Sequence, residues 1–358
     1  MTGSAYSRVQ KWFLKYQHVF VFTAPLVFVV AVLTSAPTTG TTDVTYWLEF
    51  WWLFPVFLLG ATIVNTVGIS GSALFVPFLI FLFPLFAQPL EPETIVKVGL
   101  ISEAFGLSSS SVAFVQYGLV DRRLALTLVG GSLPFVIGGA LLSFVIPEPL
   151  FHALLGLALL AAAYLLFKTN LDHSGGSDST ATDGGAAVDG ELPDDSGKLG
   201  PAGVETATDG TVTRVDRDGD DYTYTRAGYL RRAANYSVGG TFQGLAGFGI
   251  GELGLISMLG TRIPVRVAIG TNHIVVALTA VLASLVHVFG GGIVGGHSLS
   301  LASTPWNMVV FTVPATVTGG QIAPYVSNAL STRTIKRFVA MLFGIIATAL
   351  FLMATGLG

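Results

Sequence analysis

Gly244-Leu245-Ala246-Gly247-Phe248-Gly249-Ile250-Gly251 interrupts an apolar run, and Gly68-Ile69-Ser70-Gly71-Ser72 interrupts another in the first half of the chain. Irregular backbone at membrane depth is tolerated only where protein buries it or it lines a wet cavity. A glycine-rich break ends one helix and frees the N–H groups that begin the next, at the positive end of its dipole. Glycine permits the turn and lets a ligand come close to the backbone. Two such ends meeting from opposite faces make an uncharged, electropositive place for an anion. The candidate ligand groups are Gly68, Ser70, Gly71 and Ser72 in the first break, and Gly249, Ile250 and Gly251 in the second. The plainer reading is that these glycines only let helices pack closely.

Working outward from the breaks, the chain of 358 residues is 52% hydrophobic and only 11% charged. Its mean hydropathy is +0.70. Soluble domains carry about 25% charged residues, so a water-soluble fold is excluded. Apolar segments fall near 18–36, 47–67, 71–86, 94–117, 123–146, 150–167, 233–247, 250–260, 265–289, 305–327 and 335–356. Several have the roughly 20 residues that a crossing demands. The first follows Arg8, Lys11 and Lys15 but lacks a small-x-small cleavage site, so it reads as a retained helix rather than a signal peptide. There are no cysteines, which removes disulfides, thiolate metal sites and cysteine nucleophiles.

Positive charge sets the orientation. With the N-terminus inside, and with 47–67/71–86 and 233–247/250–260 each entering and leaving by one face, 17 of the 18 basic residues fall on the cytoplasmic side. Lys97 alone lies outside, near Glu91 and Glu93. The second hairpin has about 28 residues, too few for two crossings, so it is expected to turn near the midplane.

The halves resemble each other. Gly68 to Leu74 aligns with Gly249 to Leu255, Val96-Lys97-Val98 with Val265-Arg266-Val267, Pro134 and Gly139 with Pro314 and Gly319, and Gly156 with Gly344. One half starts outside and the other inside, as in inverted-repeat carriers. The expected fold is an all-α membrane protein, a polytopic bundle of two inverted repeats, each with a broken or re-entrant helical hairpin. Residues 1–46 form an N-terminal segment with an extra helix, 47–167 repeat one, 168–232 a cytoplasmic linker and 233–358 repeat two.

The linker holds 13 of the 21 acidic residues and reads as solvated low-complexity chain. Its end differs. Thr211 to Val215 alternates, Arg217-Asp218-Gly219-Asp220 supplies a turn and Tyr222 to Thr225 alternates again, which predicts a small cytoplasmic β-hairpin over 211–225.

The run from Gly244 to Gly251, the following Arg262-Ile263-Pro264-Val265-Arg266-Val267-Ala268-Ile269-Gly270-Thr271-Asn272, and the copy Gly68-Ile69-Ser70-Gly71 with Pro77 resemble the TauE/SafE sulfite exporters. The resemblance spans roughly 50–167 and 233–356. It implies a multi-pass carrier of sulfite, sulfonates or related small organic anions in the cell membrane. Two positions depart from it: Glu252 stands where the family has another glycine, and Ser70 replaces a glycine in the first copy.

Polar residues at depth complete the candidate site. Ser102-Glu103 and Thr271-Asn272 occupy matching positions, and their hydroxyls and amide suit an oxyanion; helix-to-helix hydrogen bonding is the alternative. Asn65 and Gln243, just ahead of the breaks, either orient the turns or touch the ligand. Glu103 and Glu252 are costly in lipid and so are functional candidates. A carboxylate beside an anion pocket repels the guest unless protonated, which suggests a coupling proton; pairing with Lys97 or Arg266, or a wet position near an interface, is the alternative. His273 is a further relay candidate, with a structural role as its plainer reading, as for His287. Trp47, Trp51 and Trp52 read as an interfacial belt, and Asp121-Arg122-Arg123 as a topology signal.

The expected partners are a small anion, the bilayer and a coupling proton or cation. No nucleic acid, cofactor, metal or catalytic residue is expected. There is no Walker, HExxH or GxSxG motif, which disfavours direct ATP drive and intramembrane hydrolysis. An anion channel, an intramembrane enzyme built on Glu103, His273 or His287, and a receptor signalling through its linker are the competing classes.

Overall fold

The computed structural model describes residues 8–36, 43–90, 92–143, 204–216, 221–289 and 304–331, with isolated positions in 145–160 and 334–352. The linker up to residue 203, the turn 217–220 and much of the last apolar segment lie outside the described residues.

The described chain is mostly helical. Helix α1 (Arg8–Ser35) is followed by a short α2 (Val44–Leu48) and α3 (Leu53–Val67). After the first break come α4 (Ser72–Pro77), a π-helical turn (Phe78–Leu82) and a 3-10 turn (Phe83–Leu85). Helices α5 (Pro92–Gln116) and α6 (Arg122–Leu142) complete the first half. The second half holds α7 (Tyr229–Ala246), α8 (Ile250–Gly260), α9 (Val265–Phe289) and α10 (Trp306–Ala329). Among the described residues, four stretches are long and apolar enough to cross a membrane: Val44–Val67, Lys97–Gln116, Arg122–Leu142 and Val265–His287.

Burial runs opposite to that of a soluble bundle. Leu26, Val27, Val30, Leu126, Phe135, Leu278 and Leu285 face outward, while Ser102, Glu103, Thr271, Asn272 and His273 are buried. An apolar exterior of this extent suits lipid and not water.

The packing of the two halves is reciprocal. Helix α6 lies against α7 and α9 of the second half, and α10 lies against α3 and α5 of the first. Small residues make both contacts close. A Cβ on Gly139 would sit 2.1 Å from the Thr241 carbonyl oxygen, and one on Gly319 would sit 2.9 Å from that of Leu58. Helices α5 and α9 pack directly on one another.

Strands β1 (Val204–Thr206), β2 (Thr211–Val215) and β3 (Asp221–Thr225) form one antiparallel sheet in the order β1-β2-β3. Thr211 faces Thr225 and Val215 faces Asp221, the register that the two alternating runs demand. β1 is an addition to the expected hairpin; Val204-Glu205-Thr206 is too short to carry a period-two signal of its own.

The sheet is seated on the ends of the helices. Arg214 Nη1 donates to the Gly118 carbonyl (2.7 Å), and Tyr224 Oη and Arg226 Nε each donate to Asp121 Oδ2 at 2.8 Å. Asp121 also caps α6 by accepting the Leu124 N–H (3.0 Å). It is therefore a structural clamp between the sheet and α6. Burial alone would raise its pKa, but the Arg226, Leu124 and Tyr224 hydrogen bonds and the Arg226 charge outweigh it and hold the carboxyl below its ordinary value. Tyr222 and Tyr224 are pushed up, chiefly by burial.

Candidate functional site

The first break begins where α3 reaches Gly68, whose φ of +80° is open to glycine at little cost. Its N–H closes the helix onto the Val64 carbonyl at 2.9 Å, a left-handed C-terminal cap. The second break repeats the device with Gly247, at φ +81° and bonded to the Gln243 carbonyl at 2.8 Å. Sequence alignment pairs Gly68 with Gly249, but backbone conformation pairs it with Gly247. The two loops differ by one residue in length, which the glycine pattern does not reveal. Gly249, at φ +120°, then opens α8 in a conformation closed to ordinary side chains.

The breaks touch. A Cβ on Gly251 would lie 2.6 Å from both the N and the Oγ of Ser70, so nothing larger than hydrogen fits there. A single side chain amide rivets them: Asn272 Nδ2 donates to the carbonyls of Gly68 (2.8 Å) and Gly251 (2.7 Å). Asn272 Oδ1 accepts from Tyr236 Oη at 2.6 Å, an approach that Gly254 makes room for. Tyr236 escapes sequence reasoning; its signal is a lone phenol among small residues on a helix leading into a break.

The free amides of both breaks are capped by carboxylates. Ser70 N–H donates to Glu252 Oε1 (3.0 Å) and Gly249 N–H donates to Glu252 Oε2 (2.8 Å). One carboxylate thus bridges the two halves, and at Gly249 it acts as the third-position acid of a capping box does. Ser72 N–H donates to Glu103 Oε2 (2.8 Å), and Gln243 Nε2 donates to Glu103 Oε1 (3.0 Å). Ser70 Oγ reaches Gln243 Oε1 at 3.5 Å. Both carboxylates are buried, at 1% exposure for Glu103 and 0% for Glu252. Among the described residues no cation lies against either. Arg266 instead donates to Tyr222 Oη and the Asn328 carbonyl. The alternatives of pairing with Arg266, or of a wet interfacial position, are therefore set aside.

Ser72 Oγ is wholly buried, and a Cβ on either Gly99 or Gly247 would sit 3.4 Å from it. Asn65 donates to the Ala61 carbonyl at 2.7 Å and leaves Oδ1 unpartnered.

Other residues of the expected constellation lie elsewhere. Ser102 Oγ bonds Thr312 Oγ1 (2.7 Å), a helix-to-helix contact, and Thr271 Oγ1 accepts the N–H of Asp121, the cap ahead of α6 (3.0 Å). His273 Nδ1 pairs with Ser110 Oγ at 2.8 Å, and its ring meets Phe114 edge-on. His287 Nε2 lies 2.7 Å from the Gly244 carbonyl. Ile250 is buried and packs in the apolar core. Trp52 stacks on Phe83, so that member of the tryptophan trio is a packing residue.

A cavity of about 830 Å³ opens between α3, α4 and the last segment, lined by Val56, Ile63, Phe78, Phe81, Met341 and Ile345 among others. Its walls are almost wholly apolar, which suits hydrocarbon and gives an anion nothing to bond.

The sulfite exporter TauE/SafE family matches residues 53–350 of the chain. The probable membrane transporter protein YunE of Bacillus subtilis (strain 168) is 24% identical over 295 residues, covering 80% of this chain and 93% of that protein. No solved structure matches.

Proposed function

Because the chain belongs to the sulfite exporter TauE/SafE family and is a membrane transporter rather than an enzyme, we propose that it is a secondary carrier of small anions. Sulfite, organosulfonates and related oxyanions are the substrate class, moved by alternating access through the cell membrane, with the N-terminus and linker in the cytoplasm. The observation that carries this reading is the convergence of Ser70 and Gly249 amides, from breaks in opposite halves, on one buried carboxyl group. Amide donors aimed at a buried negative charge are the means by which broken helices bind anions in transporters.

The reciprocal packing supports an inverted repeat. If α3, α5 and α6 correspond to α7, α9 and α10, then α6 on α7 and α9 is the counterpart of α10 on α3 and α5. Gly139 and Gly319, paired by sequence, stand at corresponding contacts. Repeats that exchange their third helix in this way form one body whose two ends can open in turn.

Glu252 and Glu103, buried with no cation against them among the described residues, are the coupling candidates; His273, on Ser110, is the weaker one. Proteoliposome counterflow tests the proposal. Saturable uptake of labelled sulfite, accelerated by unlabelled sulfite inside, is expected; linear, non-exchanging flux would assign a channel instead. Uptake driven by an inward proton gradient and abolished in Glu252→Gln would place the coupling at that residue.

A further inference from the structure

The position that the carrier reading reserves for a guest is filled by the protein's own side chain. Both oxygens of Glu252 are used, one on the Ser70 amide of the first break and one on the Gly249 amide of the second. A Cβ on Gly251 would lie 2.6 Å from Ser70 N and Oγ, so the two breaks are in direct contact where that carboxylate joins them.

We propose that the Glu252 carboxylate is the resident occupant of the anion site, and that the transported guest is an oxyanion presenting two oxygens as a carboxylate does, which takes its place. The inference rests on the carrier reading and specifies the shape that the site accepts. An O–X–O edge spans the Ser70 and Gly249 donors. Carboxylate, sulfite and sulfonate groups share that edge. A halide offers one centre where the resident carboxylate places two oxygens, so it matches the pair of donors less well.

Displacement has a consequence for charge. Once released, the Glu252 carboxyl sits in a buried space with Glu103 and the guest, and among the described residues it has no cation to meet. It takes up a proton from the side on which the anion enters and gives it up when it returns to the amides on the other side. Proton and anion thus travel together, and a monoanion moves without net charge.

Chemical replacement tests this. In purified Glu252→Ala, formate should raise the thermal midpoint in a saturable way and at lower concentration than chloride, and should act more weakly on the wild type, where the side chain competes for the amides. Apparent sulfite affinity in Glu252→Ala should rise at least tenfold. If Glu252→Ala does not fold, Glu252→Gln replaces it; a glutamine cannot accept from both amides, so sulfite affinity should again rise. If folded variants bind formate and sulfite no better than a wild type that still transports sulfite, the resident-occupant proposal falls and the carrier reading stands. If the wild type neither binds nor moves any oxyanion, the carrier reading falls, and this proposal with it.

Discussion

The two breaks end their first helices in the same way and begin their second helices differently. Gly68 and Gly247 are near-identical left-handed caps. Beyond them, the second break is locally provided for: Glu252 lies three residues after Gly249 and accepts its N–H. Helix α8 then runs regularly to Gly260. The first break has no acid of its own. Its Ser70 amide relies on Glu252, and its Ser72 amide on Glu103 from α5. The helix it opens soon loosens into a π-turn and a 3-10 turn after Pro77. A break capped from a distance is held only while the distant elements stay in place. The first break is therefore the half that the rest of the bundle controls.

Substitution at the point of contact should give the largest effect. Gly251→Val drives a side chain into the Ser70 backbone and should abolish sulfite uptake. Gly71→Ala presses on the Phe75 ring at 3.0 Å and meets Glu103 Cβ at an ordinary 3.5 Å, and should retain most of it. Equal losses in uptake assays of protein folded in detergent would erase the asymmetry. Next come the two carboxylates. Glu252→Ala strands an amide in each break and Glu103→Ala strands one amide and the Gln243 side chain. With about 1–3 kcal/mol for each buried group left unsatisfied, both should unfold more easily. Glu252→Ala should also loosen the contact between the halves, read as faster amide exchange at Ser70 and Gly249 together. Glu103→Ala should speed exchange at Ser72 alone.

Smaller still is Asp121→Asn, which keeps the cap on Leu124 but weakens the sheet's attachment by about 1 kcal/mol. Limited proteolysis near Arg226 should report it, with transport unchanged. Because the Asp121 pKa is lowered in the folded protein, its contribution is complete above the ordinary 3.8 and is lost as pH falls through the depressed folded value. Protease resistance of the wild-type sheet should accordingly stay flat with pH down to that point. A loss of resistance at mildly acidic pH would show that Asp121 does not hold the sheet.

Much of this architecture is legible from residues alone because it rests on local rules. Glycine clusters within apolar runs mark where helices stop, and the alternation of Thr211 to Val215 and Tyr222 to Thr225 marks the paired strands. What escapes is whatever depends on distance through space. Glu252 reads as a misplaced charge until Ser70, 182 positions earlier, is seen beside it. Asp121 reads as part of a charge signal until Tyr224 and Arg226 are seen closing on it. Ser102 and Thr271 match each other in sequence, yet each meets a neighbour that pairing between repeats does not indicate.

The Asn272 rivet bears on biogenesis. It binds the Gly68 carbonyl across 204 positions of chain, so during synthesis the first half enters the bilayer with an exposed polar gap that nothing yet made can fill. Insertion of the leading helices precedes their maturation, and the nascent protein waits for the ribosome to deliver α9 before its earlier break is sealed. A stop codon between the first break and Asn272 would thus leave a fragment with its first break unsealed, a natural substrate for membrane quality control.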